Sequence, residues 1–162
     1  MRTSSEGYKE MKTVLVTGSA GFIGYHLCSH LIDEGFRVVG FDGLTDYYDV
    51  RLKERRHSML NQKPGFSAKI ARLEDANTVQ GLVAAESPDV IVHLAAQAGV
   101  RYSLENPQAY VETNLIGTFN VMEAAREFGC QHLLMASTSS VYGANTEMPF
   151  SETQKTDTPL TL

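Results

Sequence analysis

Nine residues near the amino terminus, VTGSAGFIG at positions 16–24, place glycines at 18, 21 and 24, directly after the β-branched run KTVLVT at 12–17. The residues that follow, FIGYHLCSHLIDEG, carry Phe22, Ile23, Leu27, Leu31 and Ile32 at helical spacing. A strand, a tight turn and a helix are therefore expected in that order. Gly35 stands where a helix commonly stops, and RVVGF at 37–41 resumes the strand pattern with Asp42 at its end. One β-α-β unit is complete by Asp42, and a parallel pair of this kind needs a crossover that a helix usually supplies.

The alternation continues. A charged helix is expected over 50–61, a break at Pro64-Gly65, a short strand FSAKI, a helix over 75–86, and a buried strand in PDVIVHLAA. Residues 107–128 put Val111, Leu115, Phe119, Met122 and Ala125 on one face, with Ile116 and Val121 elsewhere, which predicts a helix with more than one buried side. QHLLMAS supplies a fifth strand, and the segment after it is polar and turn-rich. Strands alternating with helices imply an α/β fold: a doubly wound parallel sheet with strand order 3-2-1-4-5.

The chain of 162 residues is the size of one domain, and 43% hydrophobic against 20% charged residues suits a soluble globular unit rather than a disordered one. With 14 Lys and Arg against 19 Asp and Glu, the formal net charge is −5, and no basic block favours nucleic acid as a partner. The polar opening MRTSSEGYKE lacks the apolar core of a signal peptide, and no segment reaches membrane-spanning length, so a cytoplasmic protein without a membrane partner is expected. The two cysteines, Cys28 and Cys130, fit neither a metal-ligand spacing nor a disulfide framework, and no metal site is expected.

In a strand–turn–helix setting, Gly18 permits the sharp turn, Gly21 lets a pyrophosphate approach the backbone, and Gly24 allows close helix–strand packing, with free N–H groups at the helix start facing the anion. Asp42, at the tip of the next strand, stands at the distance expected for a carboxylate that accepts from the adenosine ribose hydroxyls. An acid there disfavours a 2′-phosphate, so NAD is expected over NADP. The competing reading makes the glycines packing residues and Asp42 a solvated loop acid.

The spacing G-x-x-G-x-x-G within TGSAGFIG, together with HLAAQAGV, NLIGTFNVMEAA and STSSVYG, resembles the extended short-chain dehydrogenase/reductase family over nearly the whole chain. DYYDVRLKERR and QAGVRYSLENP are most similar to the UDP-glucuronate 4-epimerase branch of its nucleotide-sugar epimerases. The resemblance implies a Rossmann fold, a tightly held NAD, transient oxidation at C4 of a UDP-sugar substrate, and a place in polysaccharide biosynthesis. It further implies that Phe22 and Ile23 lie beside the pyrophosphate and that Leu73 flanks adenine. Ala95, Ala96 and Gln97 would line the nicotinamide ribose, with Asn114 in the helix beneath. The family often has an acid one position before the leucine, where this chain has Arg72.

STSSVYG carries the chemistry of the branch. By resemblance, Thr138 is the catalytic hydroxyl that bonds the sugar O4, with Ser139 and Ser140 against the substrate. Related dehydratases carry an acid one or two positions after this threonine, and serine cannot readily supply that acid or base, which argues for epimerisation. A Ser/Thr cluster that merely caps the fifth strand remains the alternative. Arg101 stays open between a contact to the substrate diphosphate or carboxylate and a surface position at a helix entry. Arg51, Lys53, Arg55 and Arg56 read as the solvated face of a helix whose Leu52, Met59 and Leu60 point inward. His93 reads as a satisfied core histidine.

By alignment on VYG, the family's Tyr-x-x-x-Lys motif begins at the first position after Leu162, and none of Tyr142, Tyr47 and Tyr48 has a lysine four residues on. The expectation is a C-terminally truncated NAD-binding domain over 1–162, with residues 1–10 flexible, no substrate domain and no turnover by itself. The resemblance also implies a homodimer through the 107–128 helix. Two other functions stay open: a non-catalytic dinucleotide-binding module, and a nucleotide-sugar dehydratase of the same family.

Overall fold

The structure, a computed structural model, describes residues 11–158. The segment 1–10, expected to be flexible, and the last residues of the expected domain lie outside the described residues. Five strands, β1 (Thr13–Thr17), β2 (Arg37–Asp42), β3 (Phe66–Ile70), β4 (Val90–His93) and β5 (His132–Met135), form one sheet in the order β3-β2-β1-β4-β5. All four pairings are parallel, with Val14 opposite Val38 on one side and Val90 on the other. This is the expected doubly wound, Rossmann-type order.

Alternation along the strands builds two cores, because successive side chains leave opposite faces of a sheet. Val14, Val16 and Val38 point to one face with Cys28 of α1 (Phe22–Asp33) and Leu60 of α2 (Val50–Asn61). Leu15, Val39, Phe41 and Ile91 point to the other, against Val79 and Val83 of α3 (Ala76–Glu86) and against Val121, Ala124 and Ala125. Cys28 is fully buried, and burial pushes its thiol up to about 12, so it is an inert packing group.

Of the two helices nearest the glycine turn, α1 follows its expected spacing and α2 departs from its expected faces. Phe22 and Ile23 are 66% and 65% exposed, and the inward face of α1 is built by Cys28 with Leu27, Leu31 and Ile32. In α2, Leu52 and Met59 are exposed and only Leu60 of the three expected apolar residues is buried. Lys53 takes their place: it is buried and its Nζ donates to the Thr45 carbonyl at 2.7 Å and to Thr45 Oγ1 at 2.9 Å. Positions 53, 56 and 60 share one side of a helix, and the buried side of α2 follows that row rather than hydropathy. Arg51 and Arg55 are exposed as expected, with Arg51 paired to Asp49.

The expected 107–128 helix is a single helical run in three parts. After the short α4 (Val100–Glu105), α5 (Pro107–Tyr110) passes into a π-helical stretch, Val111–Gly117, and then into α6 (Thr118–Glu127). π-helical insertions are rare and are frequent at functional sites. After a short 3-10 helix, Ser139–Tyr142, the polar segment folds back on itself. There Ala144 N–H donates to the Thr158 carbonyl at 3.1 Å, and Tyr142 stacks on Phe150.

Candidate functional site at the carboxyl edge of the sheet

Where β1 ends, Gly18 adopts φ +72° and donates its N–H to the Phe41 carbonyl at 2.7 Å, which ties the turn to β2. Gly21, extended at φ −68° and ψ 173°, begins α1 with no side-chain cap. The first helical bond runs from Tyr25 N–H to the Gly21 carbonyl at 3.0 Å, so the amides of Phe22, Ile23 and Gly24 have no partner among the described residues. Three free donors at the positive end of a helix make an anion site.

The glycines are required by close approach. A Cβ on Gly18 would lie 2.9 Å from Ala95 N, and one on Gly21 would lie 3.0 Å from the Gly18 carbonyl oxygen. A Cβ on Gly24 would overlap that same oxygen. Gly24 therefore lets the first turn of α1 close onto the carbonyl of Gly18, a contact with the turn rather than with a strand.

Asp42 is 7% exposed, which removes the reading of a solvated loop acid. Its Oδ2 accepts from Ala20 N–H at 2.9 Å and its Oδ1 from Leu44 N–H at 2.8 Å. The carboxylate fastens the glycine turn to the loop after β2, each oxygen retains a second acceptor site, and Asp42 lines a cleft shared with Gly18, Gly43, Leu73 and Ala95. A second lobe of this cleft, lined by Phe22, Ile23 and Gly24, shares Gly18 and Gly21 with the first.

Ala95, Ala96 and Gln97 line the cleft as well, on the loop that leaves β4. Asn114 stands behind that loop: its Oδ1 accepts from Gln97 N–H at 2.7 Å and its Nδ2 donates to the Gln97 carbonyl at 3.0 Å. This two-point clamp starts from the π-helical stretch, which also carries Gly117, where a Cβ would lie 2.7 Å from Leu73 Cβ. Arg72 pairs with Glu74 at 2.7 Å, and both border the cleft beside Leu73.

Lys53 and Arg56 of α2, which the charge pattern assigned to solvent, both reach the site. Lys53 borders the Asp42 lobe; burial draws its ammonium pKa down, and the charges of Asp42 and Asp46 oppose that. Arg56 borders the glycine lobe, donates to the Ala20 carbonyl at 3.4 Å and lies over the Phe22 ring at 5.9 Å. Their three-residue spacing was the available signal, since it puts both on one helix face.

The residues expected at the substrate do not line either lobe. Arg101 is an exposed residue of α4 with no hydrogen bond or ion pair to the described residues. Thr138, Ser139 and Ser140 are exposed beyond β5, and Thr138 Oγ1 caps the 3-10 helix by accepting from Ser140 N–H at 3.3 Å. Ala136, two residues earlier, borders the glycine lobe, so the cluster stands close along the chain to the cleft.

A parallel sheet wound on both faces, with an uncapped helix and a buried acid at its carboxyl edge, defines a Rossmann-type α/β domain. The chain belongs to the family described as GDP-mannose 4,6 dehydratase, whose profile matches residues 15–160. It is 57% identical over 148 residues to a probable UDP-glucuronate 4-epimerase of Rhizobium meliloti (strain 1021), covering 91% of this chain and 43% of that protein. Among solved structures it is similar to UDP-glucuronic acid 4-epimerase from Bacillus cereus in complex with UDP-glucuronic acid and NAD. The TM-score is 0.79 at 34% identity, covering 86% of this chain and 44% of that one. UDP-glucose 4-epimerase from Brucella ovis in complex with NAD gives a TM-score of 0.77 at 26% identity, covering 91% and 42%. The chain thus spans less than half the length of the curated relatives it matches. No helix among the described residues is long and apolar enough to cross a membrane.

Proposed function

We propose that this chain forms the NAD-holding part of a nucleotide-sugar 4-epimerase acting on UDP-glucuronate or a related UDP-sugar. One observation carries the reading: the unpaired amides of Phe22, Ile23 and Gly24 and the buried carboxylate of Asp42 border two adjoining lobes that share Gly18 and Gly21. That pairing of an anion site with a hydroxyl acceptor suits a dinucleotide. Gly18, Gly21 and Gly24 let the turn pack tightly on its own backbone and leave the helix-start amides free, and that donor set with the Asp42 carboxylate fits the cofactor. The amides hold the diphosphate, Asp42 the adenosine ribose, and Leu73 the adenine; Ala95, Ala96 and Gln97 hold the nicotinamide half, with Asn114 fixing Gln97.

NAD supplies a hydride acceptor for sugar C4 and a donor to its opposite face. Thr138 steadies the sugar O4 hydroxyl, Ser139 and Ser140 face the substrate, and Arg101 binds its anionic part. Ser139 and Ser140 offer no carboxylate for removing water, which favours epimerisation over the dehydration named in the family description. We assign the protein to the cytoplasm and to the supply of sugar nucleotides for polysaccharide synthesis. Exposed Val111, Leu115, Ile116, Phe119 and Met122 on the helical run support pairing with a second copy there.

The test is the conversion of UDP-glucuronate by the complete protein that carries this segment, with its Thr138→Val variant. The expected result is C4 inversion by the complete protein and a loss of about 100-fold or more in kcat for Thr138→Val, the scale of a lost proton-transfer partner. Formation of a dehydrated or decarboxylated sugar, or full activity of Thr138→Val, contradicts the reading.

A further inference from the structure

A chain of three side chains, two of them buried, runs from β1 through β4 to α6. Thr17, the last residue of β1, lies opposite His93, the last residue of β4, and Thr17 Oγ1 is 2.7 Å from His93 Nδ1. On the other side of the ring, His93 Nε2 is 3.0 Å from Thr118 Oγ1 at the start of α6. Thr17 and His93 are 1% and 5% exposed, so each polar atom must be satisfied within the protein.

Counting protons fixes the state of the ring. Thr17 Oγ1 already accepts from two amides, Leu94 N–H and Ala95 N–H, each at 3.1 Å. A hydroxyl has two acceptor sites and one hydrogen. Both acceptor sites are taken, so the hydroxyl hydrogen is the atom directed at His93 Nδ1, which must be unprotonated. A neutral ring then carries its hydrogen on Nε2, where Thr118 Oγ1 receives it. A charged ring would set two hydrogens against each other at Nδ1, and burial independently lowers the histidine pKa.

The two amides held by Thr17 begin the loop that runs through Ala95, Ala96 and Gln97 along the cleft. Ala95 N is also the atom that a Cβ on Gly18 would strike, so this short segment sets the gap between the glycine turn and the β4 loop. We propose that His93, locked as the neutral Nε2–H tautomer between Thr17 and Thr118, is a positioning residue. It orients the Thr17 hydroxyl so that both of its acceptor sites hold the backbone wall of the cleft. Asn114 holds the far end of the same loop at Gln97, and the two clamps together define its course.

The experiment is nuclear magnetic resonance on the chain with ¹⁵N-labelled histidine near pH 7, with amide hydrogen exchange at Leu94 and Ala95. The expected signature of His93 is a protonated Nε2 and an unprotonated Nδ1. Thr17→Val, which keeps the shape and removes the hydroxyl, should abolish exchange protection at both amides, and Thr17→Ser should restore it. Thr118→Val should perturb the Nε2–H resonance while leaving the two amides protected; this arm does not depend on Thr17→Val folding. A protonated Nδ1 in the wild-type chain, or unchanged protection in Thr17→Val, overturns the proposal. None of these readouts uses a dinucleotide, so their outcome is separate from that of the cofactor reading.

Discussion

Replacing Gly24 with alanine will destabilise the domain by about 3 kcal/mol, the upper part of the range for forcing extra atoms into a packed site. The new Cβ would overlap the Gly18 carbonyl oxygen, a backbone atom that cannot rotate away. Relief requires α1 to shift outward along its first turn, which moves the amides of Phe22 and Ile23 and opens the contact of Gly18 with β2. Gly81 is the control: it lies in α3, where a Cβ would meet no atom within 4 Å, and alanine there should stabilise by roughly 0.5–1 kcal/mol through helix propensity. Urea unfolding of the two variants should give midpoints displaced in opposite directions. A Gly24→Ala midpoint equal to that of the wild type would show that the turn is not built on this contact.

Asp42→Ala should lower stability by about 2–3 kcal/mol, because it strands the buried Ala20 amide and the half-buried Leu44 amide at once. Asp42→Asn keeps one acceptor oxygen but turns an amide N–H₂ toward the other backbone donor, so it should fall between alanine and wild type. The same substitutions should weaken binding of a dinucleotide more than the loss of stability alone accounts for, since the carboxylate keeps unused acceptor sites and lines the cleft. Equilibrium unfolding measures the first effect and ligand titration at a temperature where each variant stays folded measures the second. A solvated acid would show neither, and a neutral Asp42→Ala would contradict the role derived for it.

The sheet was legible because its evidence is periodic and local. VLV and RVVGF alternate between two covered faces, glycines close the turns between elements, and five strands separated by helical stretches admit few windings. The glycine turn and Asp42 were legible for the same reason: both lie within one β-α-β unit, so their spacing along the chain nearly determines their spacing in the fold. Other features depended on partners distant in sequence. Lys53 is buried because the Thr45 carbonyl turns toward it, and a charge pattern carries no information about that loop. The exposure of Phe22 and Ile23 reflects their place beside a cleft, which helical spacing does not reveal and only the family resemblance anticipated. The π-helical stretch follows no recognisable pattern in VETNLIG, and its consequence, the Asn114 clamp on Gln97, joins that helix to the loop after β4 across 17 positions of sequence. The proton on His93 was likewise invisible, because it follows from hydrogen bonds made with a residue 76 positions away.

The central claim is that the turn at 18–24 and the carboxylate of Asp42 together hold a dinucleotide that lacks a 2′-phosphate. Calorimetric titration of the purified, ligand-free protein with NAD and, separately, with NADP tests it most directly. The account predicts saturable binding of NAD and at least about tenfold weaker binding of NADP, a difference of about 1.4 kcal/mol for the repulsion between a 2′-phosphate and Asp42. No heat with NAD, or equal affinity for the two, would contradict it.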